Sequence, residues 1–289
     1  MDTQALKAFM AVAHHQSFST AADNLYLTQS AVSKRVKQLE EQLGSALFDR
    51  HNRTISLTEA GQALLPRARE ILDLVADTEL QIENMSNTVG GHLSLATSHH
   101  IGLHRLPPVL QEYVRAFPAV DLNLEFMGSE RAYHAIRLRQ VELALTTLDE
   151  ADKLADDIEA TPLWEDRMIC VCAPHHRLAS LQHITFDDLA DESAILPEPD
   201  TITYRVVAEA FAQRNLMLKA PMPTNFLETI KMMVSVGMGW SLLPESMVDR
   251  TLYQLRWPGH PPARQLGLIQ LRHRTLSNAA HAMINLLNR

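Results

Sequence analysis

Ser19 to Arg50 reads "STAADNLYLTQSAVSKRVKQLEEQLGSALFDR". In its second half Thr28 stands where a hydroxyl can cap a helix, Val32, Val36, Leu39 and Leu43 recur at steps of three and four, and Gly44 ends the run. In its first half Ser19 is expected to cap a shorter helix reaching about Leu25, where Ala21 and Ala22 are small enough for another helix to cross closely. Upstream, "LKAFMAVA" places Leu6, Phe9, Met10 and Ala13 on one apolar face of a first helix. Three helices result, the last two joined by a tight turn.

Off the apolar stripe of the third helix lie Gln29, Ser30, Ser33, Lys34, Lys37 and Gln38. Such a face suits the DNA major groove, because Gln can bond adenine bidentately and Ser can reach either kind of base. Lys34, Arg35 and Lys37 are expected to contact phosphates, so their local charge counts although the whole chain carries −8. The competing reading is a solvated helical hairpin with ordinary surface cations. Next comes "LGSALFDRHNRTISLTEAG", with apolar Leu47 and Phe48 and then an alternating "TISLT", which reads as a two-stranded wing tipped by Asn52. Arg53 would then reach toward a minor groove, and Arg50 would brace the wing or touch phosphate.

Taken together, "FSTAADNLYLTQSAVSKRVKQLEEQLGSALFDRHNRTISLTEAG" resembles the DNA-binding signature of LysR-type transcriptional regulators. The likeness rests on Ala21–Ala22, Leu25, Thr28–Gln29–Ser30, Val32–Ser33, Leu39–Glu40, Leu43–Gly44, Leu47–Phe48, Arg50 and the "LTEAG" ending at Gly61. Ser30 departs from it, since the family often has proline there. The resemblance implies a winged helix-turn-helix over residues 1–58 that binds double-stranded DNA, with Ser19 and Thr28 added to the DNA-contacting set. It also implies a homodimer or homotetramer, with RNA polymerase as a further candidate partner.

From Thr58 a long helix is expected in "TEAGQALLPRAREILDLVADTELQIENMSN", kinked at Pro66, with Leu64, Ile71, Leu72, Val75, Ile82 and Met85 as a broken apolar seam. As residues 59–89 it forms a linker, and pairing with a second chain would cover the seam; the alternative cover is the chain's own C-terminal region.

After Gly90 and Gly91 the pattern changes to short apolar runs alternating with helices, an α/β region over residues 90–289. "HLSLATS", "VDLNLEF" and "VELALTT" read as strands, and "RMICVCAP", "SAILP", "TNFLETIKMMVSVGMGWSLLP" and "LYQLR" suggest a second half, followed by "LGLIQLR" and a final helix "SNAAHAMINLLN". By the resemblance this is a two-subdomain, periplasmic-binding-protein-like effector domain: residues 91–162 with 267–289, and residues 163–266. In such sheets ligands sit beyond the carboxyl ends of strands, at helix N-termini. The polar residues there are Thr97, Ser98, His99, His100, Ser129, Thr146 and Thr147 from one half, and Glu198, Thr201, Thr203, Thr224 and Asn225 from the other. Hydroxyls, helix N-termini and a histidine favour a small organic anion as effector; the bland alternative is that these side chains only cap helices and loops.

Other signals point away from chemistry. Of the two cysteines, Cys170 and Cys172 would share one face of a core strand, and a cysteine-based redox response is kept as the alternative regulatory reading. The 14 histidines, including His14–His15 and His175–His176, show no metal-ligand spacing, and no metal or cofactor is expected. No nucleophile elbow, phosphate loop or metalloprotease helix is present, which argues against an enzyme. A plain solute-binding protein would leave the N-terminal signature unexplained. No stretch approaches the run of about 20 apolar residues that a membrane helix needs, and the absence of a signal peptide places the chain in a reducing cytoplasm.

Overall fold

The computed structural model describes residues 1–49, 55–86, 88–149, 155–259 and 263–289. The chain divides into two compact units, Met1–Ser86 and Asn87–Arg289.

In the first unit α1 (Thr3–His15), α2 (Phe18–Asn24) and α3 (Gln29–Leu43) enclose a core of Leu6, Phe9, Val12, Ala21, Ala22, Val32, Val36 and Leu39. Ser17, not Ser19, caps α2, accepting from the Thr20 amide. Ser19 is an exposed residue of the first turn, because the chain turns helical at Phe18, whose buried ring lies edge-on to Phe48. Thr28 caps α3 through a 3.2 Å bond from Ala31 N, and Gly44 ends it in the left-handed conformation at φ 67°. Leu43 departs from the expected stripe: it is exposed, since the preceding buried position, Leu39, is where the helix last meets the core.

β1 (Phe48–Asp49) and β2 (Ser56–Leu57) pair antiparallel, and α4 (Glu59–Asn84) follows. Glu40 of α3 anchors the first strand, its Oε1 accepting from Leu47 N at 2.8 Å. The second strand is fixed by Thr58, whose hydroxyl donates to Ala46 O at 2.7 Å and also caps α4 at Gly61 N. At Gly61 a Cβ would run into the Leu47 carbonyl, so the "LTEAG" glycine is a packing requirement. α4 has 26 residues with Pro66 inside, a rod of about 39 Å at 1.5 Å per residue.

In the second unit a sheet runs in the order β4-β3-β5-β9-β6-β7, where β3 is Gly91–Thr97, β4 Val120–Phe126, β5 Leu143–Thr147, β6 Ile158–Cys172, β7 Ser241–Pro244 and β9 Ala263–Leu271; β8 (Tyr253–Leu255) also pairs with β6. β3 is parallel to β4 and β5, while β9 runs antiparallel to β5 and β6. The lobe boundaries expected at 162/163 and 266/267 lie inside β6 and β9: these two strands pass through both lobes, with a bulge in β6 between Pro162 and Trp164. The first lobe adds α5 (His99–His104), α6 (Pro107–Ala116), α7 (Ser129–Arg137) and the returning α11 (Asn278–Leu287), tied to α6 where Tyr113 Oη donates to Ala279 O. The second adds α8 (Phe186–Asp191), α9 (Ile202–Ala212) and α10 (Leu227–Ser235) around Phe186, Phe211 and the buried Trp240. The segment "SAILP", grouped with the second half, makes only an isolated bridge from Ala194 to Trp240.

Candidate functional sites

On the first unit the N-terminal turns of α3 present Gln29, Ser30, Lys34 and Lys37 to solvent, with Ser33 half-buried among them. The Ser30 hydroxyl lies 3.1 Å from that of Thr28, so Thr28 spends its side chain on capping the helix and fixing its neighbour. Lys37 pairs with Glu41 at 3.7 Å, an exposed i,i+4 contact that a phosphate can displace. Arg35 is half-buried and its Nη1 donates to Gln4 of α1 at 3.2 Å. This contact braces α3 against α1. Arg50, Asn52 and Arg53 lie outside the described residues. One residue was missed: Tyr26, in the turn between α2 and α3, is 96% exposed at φ 53°.

In the second unit a cavity of about 330 Å³ opens between the lobes. Ser98 and His99 enter from the end of β3, with the Ser98 hydroxyl accepting from Ile101 N to cap α5. Ser129, first residue of α7, accepts from Thr147 N at 3.3 Å, so both border the cavity together. From the other lobe Thr201 caps α9, accepting from Tyr204 N and donating to Glu198 O, while Asn225 Oδ1 holds the Glu198 amide at 3.0 Å. Phe126 and Phe226, both half exposed, set their rings 5.6 Å from His99 on either side. Gly102 lets the Phe126 ring close on α5, where a Cβ would meet it.

Four expected members do not line the cavity. Thr97 and Thr146 are fully buried and donate to the carbonyls of Ser98 and Thr147. Alternation along a strand gives each pair one inward side chain, and Thr147 is the one that faces the cavity. Glu198 and Thr224 belong to the loops that support it: the Glu198 backbone braces Thr201 and Asn225, and Thr224 N donates to Leu196 O.

Three cavity-lining residues, His100, Thr203 and Arg264, join a buried cluster around Asp166 that no motif disclosed. Arg264 Nε donates to Asp166 Oδ2 at 2.8 Å, and its Nη1 donates to Thr203 Oγ1 at 3.2 Å. Asp166 is 2% exposed, and His100 Nε2 lies 3.7 Å from the same Oδ2. Burial pushes the Asp166 carboxyl upward, but His100 and the Arg264 guanidinium outweigh it and hold the group below its usual value. Glu130, the second residue of α7, goes the other way: burial lifts its carboxyl, against backbone donors that favour the charge. Asp149–Arg205 at 2.8 Å and His104–Glu228 at 3.4 Å are further polar links between the lobes. The signal for Arg264 was its place in β9, a charge in inward register with buried Leu266 and Leu268.

Cys170 and Cys172 are buried in β6, and burial drives both thiols upward, Cys172 to about 11, which disfavours the thiolate that the redox alternative needs. Among the described residues no helix is long and apolar enough to cross a membrane.

Comparison with known proteins covers both units. The model of the bacterial regulatory helix-turn-helix protein, lysR family, matches residues 3–62, and that of the LysR substrate binding domain matches residues 86–289. A probable RuBisCO transcriptional regulator from Synechocystis sp. is 30% identical over 250 residues, 86% of this chain and 72% of that one. Among solved structures, full-length CbnR complexed with its target DNA aligns over 100% of this chain and 99% of that one, with a TM-score of 0.61 at 18% identity. The effector binding domain of QuiR in complex with shikimate aligns over 69% of this chain and 96% of that one, with a TM-score of 0.60 at 22% identity.

Proposed function

The chain belongs to the LysR family of transcriptional regulators, and from that premise we propose that its effector is a small organic carboxylate bound in the cavity between the two lobes. The observation that carries this reading is the convergence of three helix N-termini, those of α7, α9 and α10, on one cavity that also contains Arg264. The free N–H groups and positive ends of helices stabilise an anion by roughly 0.3–1 kcal/mol each. Arg264 adds a guanidinium whose Nη2 has no partner among the described residues. The neighbouring QuiR domain holds shikimate, itself a carboxylate, which supports the class. Titration calorimetry with shikimate, benzoate and their neutral amides tests it: the acids bind and the amides do not. Amides binding as tightly as acids would reject the reading.

We assign residues 1–58 to DNA binding, 59–89 to a dimer-forming linker and 90–289 to the effector domain, and place the regulator in the cytoplasm, where the DNA is. Gln29, Ser30 and Ser33 read bases, and Lys34, Arg35 and Lys37 meet phosphates. The chain acts by binding, not turnover. Effector and DNA are coupled by linkage: a carboxylate that fits one lobe arrangement better biases the promoter-bound geometry by no more than its differential affinity.

A further inference from the structure

We propose that the effector carries, besides its carboxylate, a hydrogen-bond donor, most simply a hydroxyl, that is received by His100. The inference rests on the carboxylate reading above. His100 lines the cavity at 5% exposure, and neither Nδ1 nor Nε2 has a hydrogen-bond partner. Among the described residues lining the cavity, it is the one whose buried side-chain polar atoms are unmet. Native interiors rarely leave such atoms orphaned, and those that do are commonly completed by something not belonging to the chain.

The surroundings specify what is missing. The polar group facing Nε2 is the Asp166 carboxylate, at 3.7 Å too far for a hydrogen bond yet near enough to favour the tautomer with its proton on Nε2. Arg264 already holds the Asp166 carboxylate at 2.8 Å. His104 lies tilted beside His100 at 4.9 Å between ring centroids and is directed to Glu228, so it offers His100 no donor. Nδ1 is left as an acceptor without a donor. Helix N-termini and Arg264 supply donors, and His100 supplies the acceptor. The complement is a carboxylate with a hydroxyl, its hydrocarbon part against Phe126 and Phe226. A cavity of about 330 Å³ accommodates a molecule of about one ring.

The test uses the full-length protein and three probes: benzoate, the hydroxybenzoates and the methoxybenzoates, titrated calorimetrically into the wild type and His100→Phe. A methoxy group keeps the oxygen but cannot donate. One hydroxybenzoate is expected to bind at least about tenfold more tightly than both benzoate and the corresponding methoxybenzoate, a ratio that collapses toward one in His100→Phe. Equal binding of hydroxy and methoxy probes by the wild type, with benzoate still bound, overturns the inference alone and assigns the two nitrogens to water. No binding by any of the acids rejects the carboxylate reading, and the inference with it. The hydroxy-to-methoxy ratio of the wild type decides the matter even if His100→Phe does not fold.

Discussion

Arg264 and Asp166 show how much a single pairing can carry. Asp166 is 2% exposed, so Arg264→Gln leaves a buried carboxylate without its cation, a change expected to cost about 3–5 kcal/mol at neutral pH in urea unfolding. The pH dependence has a definite sign. With its folded-state value below the unfolded one, Asp166 contributes stability that is present above about pH 3.9 and is lost as pH falls through the lower, folded value. In Arg264→Gln burial dominates and lifts the carboxyl, so the gap between variant and wild type should narrow as pH falls from the variant's raised value to the wild type's lowered one; a gap independent of pH would contradict the assignment. On the DNA side, Gln29→Ala should relax preference at one base position by about 1–3 kcal/mol. Lys34→Ala should weaken all sequences alike and reduce the salt slope, which anisotropy at several salt concentrations measures. The caps Thr28 and Gly44 were legible because capping is a local rule. Arg264 was not, because its partner lies 98 residues away in sequence, and Thr97 and Thr146 misled because polarity alone does not say which strand face a side chain takes.

At the scale of elements, α4 presents the plainest unfinished surface. Leu74, Ile82 and Met85 are 68%, 63% and 77% exposed on one amphipathic helix, more apolar surface than a solitary helix ordinarily offers to water. Leu74→Glu with Ile82→Glu should give a monomer in sedimentation velocity and weaken binding to an inverted repeat far more than to a single half-site. A variant that stays dimeric with unchanged affinity would place the interface elsewhere. The 3.6-residue period exposed α1, α3 and α4 in the sequence, since apolar residues recur at steps of three and four along each. It hid α9, where "ITYRVVAEAFA" mixes β-branched and aromatic residues and reads equally as a strand. The α2 boundary slipped by two residues because Ser17 and Ser19 are chemically equivalent caps, and only the buried Phe18 between them decides which serves.

For the molecule as a whole, the two-unit plan was readable from the change of pattern at Gly90–Gly91, but the lobes' union through β6 and β9 was not, since a strand crossing between lobes has the same alternation as one within a lobe. The polar links across the cavity, Asp149–Arg205 and His104–Glu228, set the lobe arrangement that a ligand meets. Glu228→Gln with Arg205→Gln should loosen it and broaden the scattering profile of the ligand-free protein, and a bound carboxylate should restore the narrower one; profiles unchanged by either would remove these links from the account. The most direct test of the central claim, that this chain reads DNA sequence through α3, is capture of genomic fragments by the purified protein and by Gln29→Ala. The account expects the wild type to recover a sharp set of inverted-repeat sites that the variant loses or alters. Diffuse, salt-sensitive capture that Gln29→Ala leaves unchanged would contradict it.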